Sequence, residues 1–333
     1  MSLNRRCFLS RASALSMPAV LQVGCVEVPA APLRIGINAW VGYDPLVLAR
    51  DQGRIEADRL RIIDMFSNTD SLRALRNGLL DGAALTLDEA LELADQGLPV
   101  AIVAAIDVSD GGNAVLARPD VEHARHLRGR RIGLERSSLG ELMLDQLLQE
   151  GSLRPDEVEL RAAEAAHHAE LLRSSRIDAV ITFEPMASQL QQAGFRRIFD
   201  SRQMPGEIID VLVVRRDTAP ERVLPLLQAW EQGRQVFSRE PATAAGWLAA
   251  SADLAEKDYL QTLQGLRLLS LHDSWALLAR DARGHRPLVA QGRLMERTLI
   301  RLKRLSRPVD WGQLIDDRAL GLWQARAVRP ASA

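Results

Sequence analysis

The side chains with most to offer a bound molecule are Trp40, Tyr43, Thr86, Asp88, Asp107, Ser109, Asp110, Ser137, Ser138 and Glu184. Each stands at the carboxyl end of a β-rich run or in the loop after it. Open αβ sheets place ligands at those ends, against helix amino termini. Asp44, Glu135 and Asp210 add carboxylates to the set, and Arg136 is the one base in these loops. That balance suits an amine or other cationic group better than a simple oxyanion. Ser137-Ser138 offers hydroxyls and free N–H groups at a helix start, which favour a carboxylate or sulfonate. With Glu141 the same serines also read as a capping box, and the two duties are compatible. Trp40 and Tyr43 supply aromatic faces from an exposed loop, suited to stacking or to a cation. Asp44 and Glu184 each precede a proline and read equally as N-caps, and Asp210 as a tie on a strand. The expectation is an amine-bearing ligand, zwitterionic if its negative end meets Ser137-Ser138.

Catalysis is not legible in this set, because no nucleophile, base and orienting group can be assembled from it. Gly111-Gly112 reads as backbone freedom or a plain turn, and no Gly-Lys-Ser/Thr follows to make it a phosphate loop. His123, His126, His167, His168, His272 and His285 fall in predicted helices or loops away from the candidate residues, with no thiol or carboxylate at metal-ligand spacing. Neither a metal nor a cofactor is expected.

The elements that must position these residues alternate as βα units. Leu33 to Ile37 reads as a strand, followed by a helix with Asp44 as cap, Pro45 at its first position and Gly53 as its stop. Strands over Leu60–Phe66, Ala83–Thr86 and Pro99–Ile106 follow, with helices over Asp70–Asn77 and to about Gln96 between them. The rhythm restarts at Arg131–Leu134, with a helix from Ser138 that stops at Gly151. Strands near Val158–Leu160, Ile177–Ile181, Arg196–Phe199 and Ile208–Val214 complete it, with helices near Ala165–Ser174 and Pro185–Ala193. The near-continuous apolar runs fit parallel sheets covered on both faces. Beyond Val214 the pattern is helical, with Trp230, Trp247, Trp275, Trp311 and Trp323 expected to act as packing anchors.

Strings in fixed order resemble the nitrate, sulfonate and taurine class of periplasmic binding proteins of ABC transporters. They are Asn38-Ala39-Trp40-Val41-Gly42-Tyr43-Asp44-Pro45 with Leu48-Ala49-Arg50-Asp51-Gln52-Gly53, Gly78-Leu79-Leu80-Asp81-Gly82-Ala83, Gln96-Gly97-Leu98-Pro99-Val100, Asp107-Val108-Ser109-Asp110-Gly111-Gly112-Asn113-Ala114, Leu127-Arg128-Gly129-Arg130-Arg131-Ile132-Gly133, Arg176-Ile177-Asp178-Ala179-Val180 and Phe183-Glu184-Pro185. The resemblance implies the type II periplasmic binding protein fold, in the superfamily that includes a thiamine-pyrimidine synthase. Two αβ lobes would be joined by crossing strands near Ser109–Asn113 and Ile209–Val213, and a helical C-terminal tail would complete the first lobe. Residues 33–110 plus 212–330 would form lobe I and 111–211 lobe II, closing on a hinge around the solute. It further implies a monomer that hands a small molecule to a membrane permease and ATPase, or to a signalling receptor that uses the same clamp. An enzyme is the remaining alternative, but the cysteine-rich motif and reactive histidine of the synthase are missing here.

The ends and the composition bound the rest. Arg5-Arg6 with Phe8-Leu9, before the apolar stretch Ala12–Leu21, resembles a twin-arginine export signal, and an ordinary signal peptide is the alternative. Leu21-Gln22-Val23-Gly24-Cys25 resembles a lipoprotein processing site, although Gln22 departs from the preferred aliphatic residue and Val28-Pro29-Ala30 offers ordinary cleavage. Residues 1–25 are therefore set aside as a signal, with Cys25 as candidate lipid attachment and the periplasm as destination. Cys7 and Cys25 are the only cysteines, so no disulfide is expected to hold the body together. With 47% apolar residues and a formal net charge of -1, the chain can build a large core and shows no basic face for nucleic acid.

Overall fold

The computed structural model describes residues 31–328. The arginine pair and Cys25 lie outside the described residues.

The β-rich runs gather into two sheets. The first takes β1 (Leu33–Ile37), β2 (Leu60–Asp64), β3 (Gly82–Thr86) and β4 (Val100–Ser109). The chain then passes through residues 110–112 into the second sheet, made of β5 (Asn113–Ala117), β6 (Arg131–Leu134), β7 (Glu159–Ala162), β8 (Ala179–Phe183) and β9 (Arg196–Asp200). It returns to the first sheet with β10 (Ile209–Arg215) and β11 (Leu266–Leu268). The spatial orders are β11-β4-β10-β3-β1-β2 and β7-β6-β8-β5-β9.

Neither sheet is purely parallel. β1 pairs in parallel with β2 and β3, and β6 with β7 and β8, but β10 runs antiparallel to β3 and β4, and β5 antiparallel to β8 and β9. The reason is the crossing itself. A strand that arrives directly from the other sheet starts at the edge where the βα strands end, so it must run against them. Asn113, the first residue of β5, pairs with Phe183, the last of β8. Asp210, near the start of β10, pairs with Thr86 at the end of β3 and with Asp107 on β4. β5 and β11 were not anticipated from the sequence.

The helices are α1 (Asp44–Asp51), α2 (Asn68–Arg76), α3 (Leu87–Asp95), α4 (Ser138–Glu150), α5 (His168–Arg173), α6 (Met186–Gln192) and α7 (Pro220–Arg239). The tail continues through α8 (Pro241–Leu248), α9 (Glu256–Thr262), α10 (Leu271–Leu278), α11 (Pro287–Arg301), α12 (Trp311–Leu314) and α13 (Arg318–Val328). Three caps differ from expectation. Ser137, not Ser138, caps α4, accepting from the Gly140 N–H. Tyr43 occupies the cap position of α1, and Asp44 is already helical, its carboxylate accepting from the Tyr259 hydroxyl. Pro185 stands at the cap of α6, and Glu184 instead accepts from the Ser188 N–H one turn in.

The tail seals the first sheet. α7 lies so close to α1 that a Cβ on Gly233 would sit 1.9 Å from the Pro45 carbonyl, and α10, α12 and α13 lie against β4. Trp230 is fully buried with its Nε1 donating to the Leu269 carbonyl, and Trp311 is buried as well. Trp275 and Trp323 pack half-buried against the same core. Trp247 corrects the anchor expectation: it is 53% exposed on α8.

At the crossing, Gly111 adopts φ +111, a conformation open to glycine and strained for other residues. A Cβ on Gly112 would fall 2.4 Å from the Trp40 ring. Gly112→Ala is therefore expected to displace Trp40 and cost about 1–3 kcal/mol by overpacking. Urea unfolding together with tryptophan emission reads both effects, and an unchanged midpoint would contradict the close fit.

Candidate binding cleft

The edges of the two sheets where the βα strands end face each other, and polar side chains from both line the gap. The first sheet contributes Asn38, Trp40 and Tyr43 after β1, Asn68 at the start of α2, Thr86 and Glu89 at the β3–α3 junction, and Asp210 on β10. The second contributes Asn113 at the start of β5, Ser137 and Leu139 at the start of α4, His168 on α5, and Thr182 and Phe183 at the end of β8. They enclose two adjoining chambers of about 20 and 40 Å³, each about the size of a water molecule. Glu135, a wall of the larger chamber, also lines an outer vestibule of about 540 Å³ between α2 and the loops after β6 and β7.

Side-chain bonds join the two sides both at the gap and outside it, where Arg301 pairs with Asp145 and the Gln189 amide donates to the Ala252 carbonyl. The Ser138 hydroxyl donates to Asp88 Oδ2 at 2.6 Å, and the Thr69 hydroxyl to Glu135 Oε1 at 2.7 Å. Trp40 and Phe183 meet edge to face at 6.1 Å and 80°, a favoured aromatic geometry.

The charge at this gap is one-sided. Asp88, Glu89, Asp107 and Asp210 are all buried. Burial pushes the Asp107 carboxyl up to about 7. Asp210 is raised well above the usual range by burial and by the charge of Asp107. Burial also raises Asp88, and burial with the Asp88 charge raises Glu89. Tyr43 is held neutral by burial and by the carboxylates of Asp210, Asp107 and Glu89. His168 is buried too, and burial lowers it to about 4. Its neutral ring donates from Nε2 to the Ala163 carbonyl and accepts from the Thr182 hydroxyl at Nδ1. Several oxygens have no donor: Oδ1 of Asn38, Asn68, Asn113 and Asp210 among them.

The structure brings Trp40, Tyr43, Thr86 and Ser137 to the chamber walls, although Trp40 is 5% exposed and not an exposed loop residue. Asp107 stands behind Trp40, its Oδ2 accepting from the indole N–H at 3.3 Å. Asp88 and Ser138 satisfy each other across the gap, and Ser137 Oγ is spent on its cap. Ser109 bonds Ser201 and the Asn113 N–H within the crossing, and Asp110 is exposed beside it. Glu184 is turned away, paired with Arg197 at 2.7 Å. His168 corrects the expectation that every histidine lies away from the site. The residues missed include Asn38, Asn68, Glu89, Asn113 and Phe183, and Asp210 was noted only as a carboxylate. Asn38, Asn113 and Phe183 sat inside the matched strings, where a scan for strand ends and ionisable groups passed over them.

Two mixed αβ sheets with a helical tail and a polar gap between them define the periplasmic-binding-protein class of fold. Residues 27–250 match the NMT1-like family, and the chain belongs to it. No curated protein matches the sequence. Among solved structures it is similar to the alkanesulfonate-binding protein SsuA from Xanthomonas axonopodis pv. citri bound to MOPS, at 17% identity and TM-score 0.70 over 87% of this chain and 99% of that one. The periplasmic nitrate-binding protein NrtA from Synechocystis PCC 6803 is similar at 13% identity and TM-score 0.68, over 91% of each chain. The desulfurization enzyme DSZB shares the fold at 16% identity and TM-score 0.62, over 89% and 99%.

Proposed function

We propose that the protein is an extracytoplasmic solute-binding protein that captures a small polar organic ligand between its two sheets and delivers it to an ABC importer. The observation that carries this is the gap itself. Polar and aromatic side chains from both sheets line it, a handful of side-chain bonds close it, and an outer vestibule that shares Glu135 as a wall lies beside it. Binding proteins of sulfonate and of nitrate share the fold, and the present gap has the two-sided construction a clamp needs. Residues 33–110 with 212–330 act as one lobe and 111–211 as the other. Opening breaks the Ser138–Asp88, Thr69–Glu135, Arg301–Asp145 and Gln189–Ala252 bonds, and the ligand restores closure by contacting both sides. The fold also serves a desulfurization enzyme. Here the histidine in the gap, His168, is neutral and committed on both ring nitrogens, so it does not serve as a base. The mature chain works as a monomer in the periplasm, tethered through a lipid on Cys25, with a permease and an ATPase as membrane partners.

A thermal-shift screen of small metabolites tests the reading. A true ligand at about 100 times its Kd adds about 2.7 kcal/mol to the folded state and raises the melting temperature. The same ligand is expected to shift tryptophan emission through Trp40, and to be taken up by vesicles carrying the permease and ATPase. A ligand that is chemically altered on incubation would overturn the binding-only role.

A further inference from the structure

The unpaired charge and unpaired acceptors at the gap specify the kind of solute, an inference that rests on the binding reading above. The chain is rich in arginine, and elsewhere it pairs several half-buried and buried carboxylates with one, Glu184 with Arg197, Glu92 with Arg304 and Asp178 with Arg131, while Asp44 and Glu296 have none among the described residues. At the gap it does not. Among the described residues no arginine, lysine or histidine nitrogen comes within 4.0 Å of Asp88, Glu89, Asp107, Asp210 or Glu135. Leaving ionised groups buried and unpaired costs several kcal/mol each, so the empty protein keeps part of this set protonated.

A second observation points the same way without reference to charge. Asn38 and Asn113 are at least nine-tenths buried, line the chambers, and each presents a side-chain oxygen with no donor. Asn68 does the same, and its orientation is set, because its Nδ2 donates to Glu89 Oε2 at 2.8 Å. A proton shared by Asp107 and Asp210 accounts for that pair alone, and the amide oxygens still lack a donor. Unmet buried acceptors of this kind are rare unless something supplies the hydrogen. Each chamber has room for a group the size of an ammonium, and Trp40 and Phe183 flank the smaller one, where ring faces attract cations.

We propose that the ligand's buried end is a cationic nitrogen group with several N–H donors, a primary ammonium or an amidinium, held by Asp210 and by the amide oxygens of Asn38, Asn68 and Asn113. The rest of the molecule occupies the vestibule, whose wall carries Arg136. In the inner chambers an alkanesulfonate or nitrate would instead meet carboxylates with no arginine or lysine on the walls, the vestibule being where Arg73, Arg136 and Arg176 stand, and the serine pair expected to hold an anionic end is occupied by Asp88 and by the α4 cap. Binding replaces protons by the ligand's charge. The groups facing Asp210 are Asp107 from β4, Asp88 and Glu89 from α3 and the Tyr43 hydroxyl, with neutral His168 and Glu135 across the gap. Amine affinity therefore rises as pH increases through about 7, the value to which Asp107 is pushed.

Calorimetry with putrescine, agmatine, taurine, ethanesulfonate and nitrate tests this. The amines or agmatine are expected to bind with proton release, seen as a heat that changes between phosphate and Tris buffers, and with affinity at least about threefold higher at pH 8 than at pH 6. Asp210→Asn mimics the protonated acid. It is expected to weaken amine binding about tenfold or more while melting, ligand-free, no lower than the wild type, a combination that a structural role would not give. If that variant fails to fold, Asn68→Leu is read in its place. Binding of ethanesulfonate or nitrate in preference to every amine overturns the cation assignment and leaves solute capture standing, whereas amine binding without proton release overturns the exchange of protons for the ligand's charge. A protein stabilised by no probe of either charge overturns both.

Discussion

Between about pH 4.5 and pH 7 the ligand-free protein loses on the order of a few kcal/mol of unfolding free energy as the pH rises. Asp44 and Asp107 are each pushed up to about 7 by burial, from the ordinary range near 4, and Asp88, Glu89 and Asp210 are raised as well. In this window the folded protein keeps protons that the unfolded chain has released. Their stabilisation is complete below about pH 4 and is lost as the pH climbs through the folded values. His168 acts in the opposite sense, since burial holds it near 4 and the unfolded chain binds its proton up to about 6.5. It is one group against six, since burial also raises Glu207. Carboxylates held low by arginine, such as Asp81 and Asp178, gain their stabilisation below about pH 4 and leave the window to the buried set. Urea midpoints measured across it should fall, and Asp107→Asn should flatten the profile. A curve that rises toward neutral pH in the wild type would show that these carboxyls are not held neutral.

Arg197→Ala should cost about 3–5 kcal/mol, the largest effect expected of any single change outside the core. Arg197 donates to Glu184 Oε1 at 2.7 Å, to the Gly111 carbonyl at 2.6 Å and to Gln191. Removing it strands a buried carboxylate and releases the loop that carries the chain from one sheet to the other. Replacing both partners, Arg197→Met with Glu184→Gln, should recover most of the loss, because no charge is then left buried alone. Denaturant unfolding of the three variants decides the point. A loss below about 1 kcal/mol in Arg197→Ala would mean that the pair is a surface ornament. The same series asks whether the crossing loop governs closure, since a loosened loop should also weaken ligand capture.

Most of the βα strands were legible because they are short apolar runs bounded by a cap or a glycine, the exposed β7 (Glu159–Ala162) being the exception. β6 falls on Arg131–Leu134 as expected, and β1 on Leu33–Ile37. β5 was not, because Asn113–Ala117 follows a glycine pair with no helix between, and such a segment reads as a loop until a sheet receives it. The site was partly legible for a related reason. The rule that ligands lie at carboxyl ends of strands finds Trp40, Tyr43 and Thr86. It cannot find Asn113 or Asp210, which stand at the starts of crossing strands and reach the gap only because those strands run backwards against their neighbours.

What the sequence determined by itself is the inventory. It supplied an excess of carboxylates over bases at the strand ends, an ordered set of family strings, and the periodicity that makes two αβ halves and a helical tail. Those are local properties, set by side-chain type and spacing of two or 3.6 residues. Which acids are unpaired was decided only by the tertiary structure. Glu184 and Asp107 look alike in the sequence, yet one meets Arg197 and the other lies behind Trp40 beside Asp210, because pairing depends on what distant strands bring within a few ångströms. Burial without a cation beside it then pushes the Asp107 carboxyl up.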